Sequence, residues 1–303
     1  MLEFDKYHGL GNDFVLFDTS IYEIRLHEPV VVSKLCDRRF GIGADGILYF
    51  GVKDRDDSDQ LPLLSMIYLN SDGSRAETCF NGLRCIGLHA VRKGIVKSGQ
   101  PFSILTDAGT VHMRFDGESN EATMTLDTAP SLAASKIGLN SDKDVLKLAL
   151  TSKGMHFHGS AISTGNPHFI ILREGATMGD LIHLADEFGS DIENNSLFAL
   201  STNVEFATIN PDNLIDLAVW ERGSGRTLAC GSGATATAIL AAISDQVDID
   251  KDIEVRQAGG SLFITAKAFR KGGNVILDSP IQVRGKSTHV YHGIIENLSY
   301  YKI

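Results

Sequence analysis

Apolar and polar positions alternate along the chain in short runs that are typical of strands, interrupted by a few longer helical patterns. Near the N-terminus, apolar runs at residues 4–8 and 14–18 flank a glycine and asparagine cluster at residues 9–13, which predicts two strands joined by a turn. Other runs predict strands at residues 47–52, 64–69, 102–107, 110–115, 123–126, 154–173 and 203–220, and helices at residues 29–39, 83–93, 178–188 and 234–243.

A glycine-rich segment, Glu221 to Gly233, runs directly into the small and apolar residues of the last predicted helix. This order places Cys230 at a helix N-terminus, where backbone N–H groups lack intrahelical acceptors and the helix dipole favours negative charge. We therefore expect an anion site at Gly231, Ser232 and Gly233, and a Cys230 pKa below the free-thiol value of about 8.5. A buried structural cysteine beside a helix cap is the alternative for a cysteine considered alone.

The two halves of the chain resemble each other. The segment that begins at Gly11 matches the segment that begins at Gly165, and Cys79 with its following residues matches Cys230. A polar residue stands nine positions before each cysteine: Asn70 and Glu221. A repeat of this length indicates duplication of one α/β unit, with two equivalent thiols facing a shared cleft.

Composition narrows the class of protein. The 303 residues suffice for two domains, and 43% hydrophobic with 22% charged residues is typical of a globular protein. A net charge of −10 argues against nucleic acid or an anionic membrane as the partner, so we expect a small molecule. The chain shows neither a run of about 20 apolar residues nor a leader pattern, from which we expect a cytoplasmic protein.

The four cysteines are too few for a disulfide scaffold in a chain of this size, so free thiols are expected. Their spacing is not that of a structural zinc site, and no metal is expected. Neither a phosphate-binding loop nor a dinucleotide-binding glycine motif is present, and we expect no cofactor. Cys36 and Cys85 lie outside the repeated positions and are interpreted as structural residues.

Two thiols on opposite walls of one cleft suit a specific reaction. One thiolate can remove the proton from the α-carbon of an amino acid while the other thiol returns a proton to the opposite face. Backbone donors at both helix N-termini would stabilise the charge that develops on the carboxylate. The product is the opposite stereoisomer.

Seven ordered segments make the chain resemble the diaminopimelate epimerases, a family of cofactor-independent two-cysteine enzymes. These segments are residues 8–14, 41–46, 70–74, 79–85, 165–168, 203–206 and 221–233. The resemblance implies an isomerase that inverts one α-carbon of LL-diaminopimelate to give meso-diaminopimelate, in lysine and peptidoglycan precursor biosynthesis. It also implies an amino-acid substrate, no cofactor and a homodimer.

The resemblance further implies the site residues. Cys79 and Cys230 would be the base and acid pair, with His168 and Glu221 beside them. The reacting carboxylate would be held by the backbone N–H groups of Phe80, Asn81, Gly231 and Ser232. The ammonium groups and the distal carboxylate would be held by Asn12, Asn70, Asn166, Asn203 and Arg222.

The fold that the resemblance implies is α/β (α+β), with two pseudo-symmetric domains, each a β-barrel-like sheet around a central helix. The active site would lie in the cleft between them. We expect an N-terminal domain at residues 1–127, joined by the C-terminal segment at about 281–303, and a C-terminal domain at residues 128–280.

Three positions depart from the family pattern. Thr235 and Arg226 replace residues that are more usual there, and Phe80 stands where the family usually has glycine, a residue that tolerates positive φ and close ligand approach. The departure at Phe80 leaves open an alternative substrate, another amino acid racemised by the same two-cysteine chemistry. A catalytically silent binding or scaffold protein is a third hypothesis, although retention of both cysteines with His168 and Glu221 speaks against it.

Overall fold

A computed structural model describes residues 1–19, 28–53, 61–126, 130–140, 144–271, 274–277 and 280–301. The chain forms two compact units, one of residues 1–125 with 284–303 and one of residues 126–283. The predicted crossing at residues 127 and 128 lies outside the described residues and stays a prediction. Within the described part, no helix is long and apolar enough to cross a membrane.

The first unit contains eight strands and two helices in the segment that ends with β8, and a strand and a short helix near the C-terminus. They are β1 (Leu2–Gly9), β2 (Asn12–Asp18), α1 (Pro29–Cys36), β3 (Gly46–Val52), β4 (Leu63–Asn70), β5 (Arg75–Ala76), α2 (Phe80–Arg92), β6 (Pro101–Thr106), β7 (Gly109–Asp116), β8 (Glu121–Leu126), β20 (Thr288–Ile295) and α6 (Leu298–Tyr301).

The second unit contains the elements between them. They are α3 (Ala134–Ile137), β9 (Leu148–Ser152), β10 (Met155–Ser163), β11 (Pro167–Leu172), α4 (Met178–Glu193), β12 (Asn203–Asn210), β13 (Leu214–Glu221), β14 (Gly225–Thr227), α5 (Gly231–Ile243), β15 (Ile253–Gln257), β16 (Gly260–Thr265), β17 (Ala268–Lys271) and β18 (Asn274–Leu277). A further strand, β19 (Ile281–Lys286), spans the boundary between the units.

The two units pair their strands in the same order. In the first, β1 and β2 form an antiparallel hairpin, β2 lies parallel to β3, β3 antiparallel to β4, and β4 parallel to β6. In the second, β10 and β11 form the hairpin, followed by β12, β13 and β15 with the same sequence of directions. The duplicated α/β unit predicted from the sequence is therefore confirmed.

The hairpin turns explain the paired glycines. Leu10 and Gly11 both have positive φ, at 55° and 85°, which is the backbone that a tight two-residue hairpin requires. Gly165 occupies the equivalent turn with φ of 107°. In both units this turn is followed by a strand that carries apolar side chains into the core.

Helices α2 and α5 are the central helices of their units. Helix α2 contacts β1, β4, β7 and β20, and α5 contacts β10 to β13, β15, β16 and β18. In α5 only Ser232 and Ile243 are not fully buried, which is the pattern of a helix that is small and apolar on all sides. The central-helix arrangement predicted for each domain is confirmed.

Several predicted boundaries were wrong by a few residues. Helix α1 ends at Cys36 and not at Arg39, because the Asp37 carboxylate accepts the backbone N–H groups of Arg39 (2.7 Å) and Phe40 (2.6 Å). Helices α2 and α5 each begin three residues earlier than predicted, and α4 extends five residues beyond Phe188. Strand β9 was not predicted; it alternates buried and exposed residues along β10.

Candidate active site

Each central helix begins at a cysteine whose sulfur caps the helix. The Sγ atom of Cys79 accepts the backbone N–H of Gly82 at 3.4 Å, and the Sγ atom of Cys230 accepts that of Gly233 at 3.4 Å. Both cysteines have extended backbone angles and precede the first helical residue directly. The predicted helix N-terminal position of both cysteines is confirmed, and each thiol occupies the place of an N-cap side chain.

A side chain on β15, Gln257, fixes the backbone of the turn at Cys230. The Oε1 atom of Gln257 accepts the backbone N–H of Cys230 at 2.7 Å, and both residues are buried. On the other side, the Ser232 hydroxyl lies 3.4 Å from Cys230 Sγ. The sulfur is thus fixed by backbone and side-chain bonds, which orients it without substrate.

Glu221 is the residue next to the Cys230 thiol. It ends strand β13, and its carboxyl group hydrogen-bonds the Thr227 hydroxyl and the Cys230 thiol. Burial raises the pKa of this carboxyl group, and the bonds from Thr227 and Cys230 act in the opposite direction. A half-buried carboxyl group in this position can exchange a proton with the sulfur.

The predicted low pKa of Cys230 was wrong. Burial first, and then the charge of Glu221, raise the pKa of Cys230 well above the usual value for a thiol. The hydrogen bonds from Ser232 and Gly233 lower it but do not overcome burial. At neutral pH the structure therefore holds Cys230 as a thiol.

His168 and Glu205 form a buried pair in the same unit. His168 Nδ1 lies 2.6 Å from Glu205 Oε1, and His168 Nε2 lies 3.0 Å from the amide oxygen of Asn166. Because an amide oxygen can only accept, Nε2 carries a hydrogen and Nδ1 shares a single proton with Oε1. Burial raises the pKa of Glu205, and the charge and hydrogen bond of His168 act in the opposite direction.

Glu205 is a residue that the sequence reasoning missed as a site residue. Its second oxygen, Oε2, is buried and has no hydrogen-bond partner among the described residues. A Cβ atom added at Gly233 would lie 2.7 Å from Oε1, so this carboxyl group also packs against the first turn of α5. The sequence could have indicated Glu205, because it is an acidic residue within the apolar run of β12. Acidic side chains are rarely buried without a partner.

The remaining predicted residues of the second unit serve its turns. Asn166 Nδ2 lies 3.5 Å from the Ser232 hydroxyl, which links the β10–β11 hairpin to α5. The Asn203 amide donates to the backbone oxygen of Pro167 (2.8 Å) and accepts the backbone N–H of Arg222 (2.9 Å). Arg222 itself is exposed and bonds the backbone oxygen of Leu200 at 3.0 Å.

In the first unit, Cys79 is half-buried and faces two asparagines. Asn12 Oδ1 lies 3.9 Å from Cys79 Sγ and accepts Asn81 Nδ2 at 3.0 Å. Asn12 Nδ2 donates to Asp45 at 2.8 Å, another residue that the sequence reasoning missed. Asn70 ends β4 and bonds the Ser74 hydroxyl at 2.9 Å.

Phe80 is the first residue of α2, and it is half-buried. It has no positive φ, so this helix start does not need the backbone freedom of glycine. The backbone oxygen of Phe80 accepts Arg84 Nη1 at 3.4 Å. The departure from the family pattern therefore adds a ring beside the Cys79 turn without backbone strain.

Known proteins match this chain along most of its length. A family model described as diaminopimelate epimerase matches residues 4–131 and 160–280. A diaminopimelate epimerase of Carboxydothermus hydrogenoformans is 34% identical over 284 residues, which is 93% of this chain and 97% of that protein. Another, of Trichodesmium erythraeum, is 34% identical over 298 residues, with coverage of 96% and 98%.

Solved structures share the fold. A probable proline racemase of Agrobacterium radiobacter superposes with a TM-score of 0.67 at 13% identity, covering 97% of this chain and 93% of that one. A hydroxyproline epimerase of Agrobacterium vitis superposes with a TM-score of 0.65 at 13% identity, covering 96% and 91%. These matches confirm the predicted α/β fold of two similar units.

Proposed function

The chain belongs to the diaminopimelate epimerase family, and we propose that it converts LL-diaminopimelate to meso-diaminopimelate for lysine and peptidoglycan precursor synthesis. The observation that supports this proposal is the pair of equivalent cysteines, each capping the central helix of its unit through its own sulfur. Two thiols in equivalent chemical positions are what inversion at one carbon needs, because a proton leaves one face and another arrives at the opposite face.

The reaction that we propose is a two-base inversion. The thiolate of one cysteine takes the α-proton, so the C–H bond breaks, an S–H bond forms, and the electron pair moves into the adjacent carboxylate. The thiol of the other cysteine then donates its proton to the opposite face of the carbon. Glu221 bonds the Cys230 thiol and can accept its proton, so that Cys230 serves as the base for the opposite stereoisomer.

Stabilisation of the carbanion is the difficult part, since an amino-acid α-proton is weakly acidic. We propose that the carboxylate binds the backbone N–H groups of Phe80, Asn81, Gly231 and Ser232, which are at the first turns of α2 and α5. These N–H groups lie at the positive ends of helix dipoles and are fixed before substrate binds, which favours charge that develops in the transition state.

The polar residues around the two turns complete the proposed site. We propose that Asn12, Asn70, Asn166, Asn203 and Arg222 hold the substrate's ammonium groups and distal carboxylate. Both polar atoms of the Asn203 amide bond backbone groups in the structure, so Asn203 also positions Arg222, whose backbone N–H it accepts. Because two thiols supply both proton transfers, we propose that the reaction needs no cofactor. We also propose that the protein is a homodimer in the cytoplasm.

The direct test is deuterium uptake at the α-carbon in D₂O, followed by mass spectrometry with a panel of amino acids. Exchange with LL- and meso-diaminopimelate is expected. A second candidate, racemisation of another amino acid, is favoured by the Phe80 ring beside the Cys79 turn, and it replaces the first if exchange occurs only with another member of the panel.

The two thiols are tested by Cys79→Ser and Cys230→Ser. Serine keeps an N-cap oxygen, so both variants should fold, while its much higher pKa removes the base and acid. We expect each variant to lose at least about 100-fold in exchange rate, within the usual range for a lost general acid or base. Parent-like exchange in either variant would exclude the two-thiol mechanism.

A further inference from the structure

Arg84, on the second turn of α2, is a fully buried cation. The side chain has 0% of its surface exposed and is among the largest completely buried side chains of the described chain. An arginine is rarely buried in this way unless a carboxylate accompanies it. No ion pair joins Arg84 to a carboxylate within the part of the chain that the structure describes.

The acceptors that Arg84 does have are neutral. Its guanidinium donates to the side-chain oxygen of Asn81 (2.6 Å) and to the backbone oxygens of Lys286 (3.2 Å) and Phe80 (3.4 Å). Burial lowers the pKa of Arg84 to about 10, so the group remains charged at neutral pH. These bonds engage each of the three guanidinium nitrogens, but no carboxylate among the described residues pairs with the positive charge.

Two thiols of the same unit are close enough to supply the missing negative charge. Cys85 follows Arg84 on the helix and is fully buried, and burial raises its pKa far above the usual value in spite of Arg84. Cys79 is half-buried at the start of the same helix, and a thiolate there would raise the pKa of Arg84. Cys79 is thus the less buried of the two thiols.

The matching position in the other unit carries no charge. Arg84 stands five residues after Cys79, and Thr235 stands five residues after Cys230. Thr235 is buried, and its hydroxyl donates to the backbone oxygen of Gly231 at 2.8 Å within the helix. The Cys230 turn instead faces the carboxyl groups of Glu221 and Glu205.

We propose that Arg84 is a positioning residue whose buried charge stabilises the thiolate of Cys79, so that the substrate-free protein holds Cys79 as thiolate and Cys230 as thiol. The proposal rests on the proposed function, which requires one thiolate and one thiol at the start of each turnover. It assigns the resting base to the first unit. Arg84 acts through charge and through Asn81, which it holds against Asn12.

The other groups around Cys79 agree with this assignment. Asn12 is neutral, and its contact with Cys79 Sγ is long for a hydrogen bond, at 3.9 Å, so it sets no negative charge against a thiolate there. Asp45, behind Asn12, is paired with Arg38 at 2.6 Å. The charge of Asp45 is thereby balanced, whereas Arg84 has no carboxylate partner among the residues that the structure describes.

The test is the pH dependence of alkylation by iodoacetamide in the substrate-free protein, with each cysteine quantified by mass spectrometry. Only thiolates react, and in the parent we expect Cys79 to react at neutral pH while Cys230 is protected. In Arg84→Gln, Cys79 should react about ten-fold more slowly at pH 7, because an adjacent opposite charge shifts a pKa by one or more units. Arg84→Lys keeps the charge and should stay near the parent profile.

Internal controls separate folding from charge. Cys36 and Cys85 are buried, so their alkylation reports unfolding of the first unit. Thr235→Val removes the matching polar group from α5 and should leave the Cys79 profile unchanged. If Arg84→Gln unfolds, the pH profiles of Cys79 alkylation in the parent and in Arg84→Lys test the proposal. An ordinary thiol profile for Cys79 in either protein would overturn it.

If folded Arg84→Gln alkylates Cys79 with the same pH profile as the parent, the proposal is also overturned. This holds even if the variant has a higher KM for substrate, because Arg84 would then act only on the substrate carboxylate. Deuterium exchange of diaminopimelate is measured separately on the parent. A parent that does not exchange diaminopimelate but shows the expected Cys79 profile would contradict the proposed function alone. A parent that exchanges diaminopimelate but shows an ordinary thiol profile at Cys79 would contradict the Arg84 proposal alone.

Discussion

At the scale of single residues, Cys230 shows two effects in opposition. A helix N-terminus stabilises a nearby anion by about 0.3–1 kcal/mol, whereas full burial shifts a pKa by as much as about 3–5 units. Cys230 is buried and lies beside Glu221, so burial and like charge prevail and its pKa rises. The sequence predicts the helix start, but it does not show how deeply the sulfur is buried.

Glu221→Gln tests the pairing of Glu221 with the Cys230 thiol. Removing the carboxylate removes a charge that raises the pKa of Cys230, so alkylation of Cys230 should begin at lower pH than in the parent. Deuterium exchange should nevertheless fall by about 100-fold or more, because the proton acceptor is lost.

The matched control for Glu221→Gln is Glu254→Gln, which removes a carboxylate from the same unit. Glu254 bonds the Ser261 hydroxyl at 2.6 Å on β15 and β16 and is not part of the proposed site. Its exchange rate should equal that of the parent. A Glu221→Gln protein that exchanges at the parent rate would show that Glu221 takes no part in proton transfer.

At the scale of elements, apolar periodicity predicts most strands and all four longer helices, but it misplaces the functional helix starts. The residues after each cysteine, Phe80 to Gly82 and Gly231 to Gly233, have weak helix propensity, so the periodic pattern begins only after them. The cysteine sulfur provides the cap that the first turn needs. A rule based on serine, threonine, asparagine and aspartate caps does not recognise it.

Helix α4 is held against β13 at a point of close contact, which gives a prediction for Gly189→Ala. A Cβ atom at Gly189 would lie 2.5 Å from the ring of Trp220, the residue before Glu221. Because Trp220 is partly buried against the core and bonds Glu193 at 2.8 Å, the ring cannot move freely. We expect a loss of about 1–3 kcal/mol in the free energy of unfolding.

The chain has one tryptophan, so its fluorescence reports this contact directly during urea unfolding of Gly189→Ala. Gly179→Ala is the matched control in the same helix, since its Cβ atom would have only the Thr177 hydroxyl within reach, at 3.7 Å. That variant should be neutral or more stable by up to about 1 kcal/mol. Equal stability of the two variants would contradict close packing at Trp220.

At the scale of the whole molecule, the sequence repeat predicts the duplicated topology but not the chemical difference between the two copies. His168 and Glu205 hold positions that Phe14 and Leu48 hold in the first unit: β2 and β3 pair Leu16 with Leu48, as β11 and β12 pair Ile170 with Glu205. The duplication preserved the backbone pairing, while substitution gave one copy a buried acid and histidine.

The same difference gives the two units opposite pH dependence. In the second unit, burial raises the pKa values of Glu205 and Glu221, so their folded forms bind protons more tightly than the unfolded chain does. Their contribution to stability is present at acidic pH and is lost as the pH rises above the unfolded value of about 4.5. In the first unit burial lowers the pKa of His89, and this change has the opposite effect on the pH dependence of stability.

His89 is 1% exposed on α2, where burial lowers its pKa from 6.5 to about 4. The folded protein holds it neutral, so its contribution is fully present above pH 6.5 and is lost as the pH falls toward about 4. The shift corresponds to roughly 3 kcal/mol at the acid end. Urea unfolding measured between pH 6.5 and about 4 should show that the free energy of unfolding of the parent falls as the pH falls. In His89→Phe this fall should be smaller by roughly 3 kcal/mol.

The expected change of the unfolding free energy with pH comes from the titration of His89. It does not come from the hydrogen bond between His89 and Tyr7, which the substitution also removes. His89→Phe leaves the Tyr7 hydroxyl without its 3.0 Å bond to Nδ1, which lowers stability at every pH alike. The exposed His183, replaced by glutamine, is the control and should keep the parent slope. If His89→Phe and the parent lose stability equally between pH 6.5 and about 4, the acid sensitivity of the protein does not originate at His89.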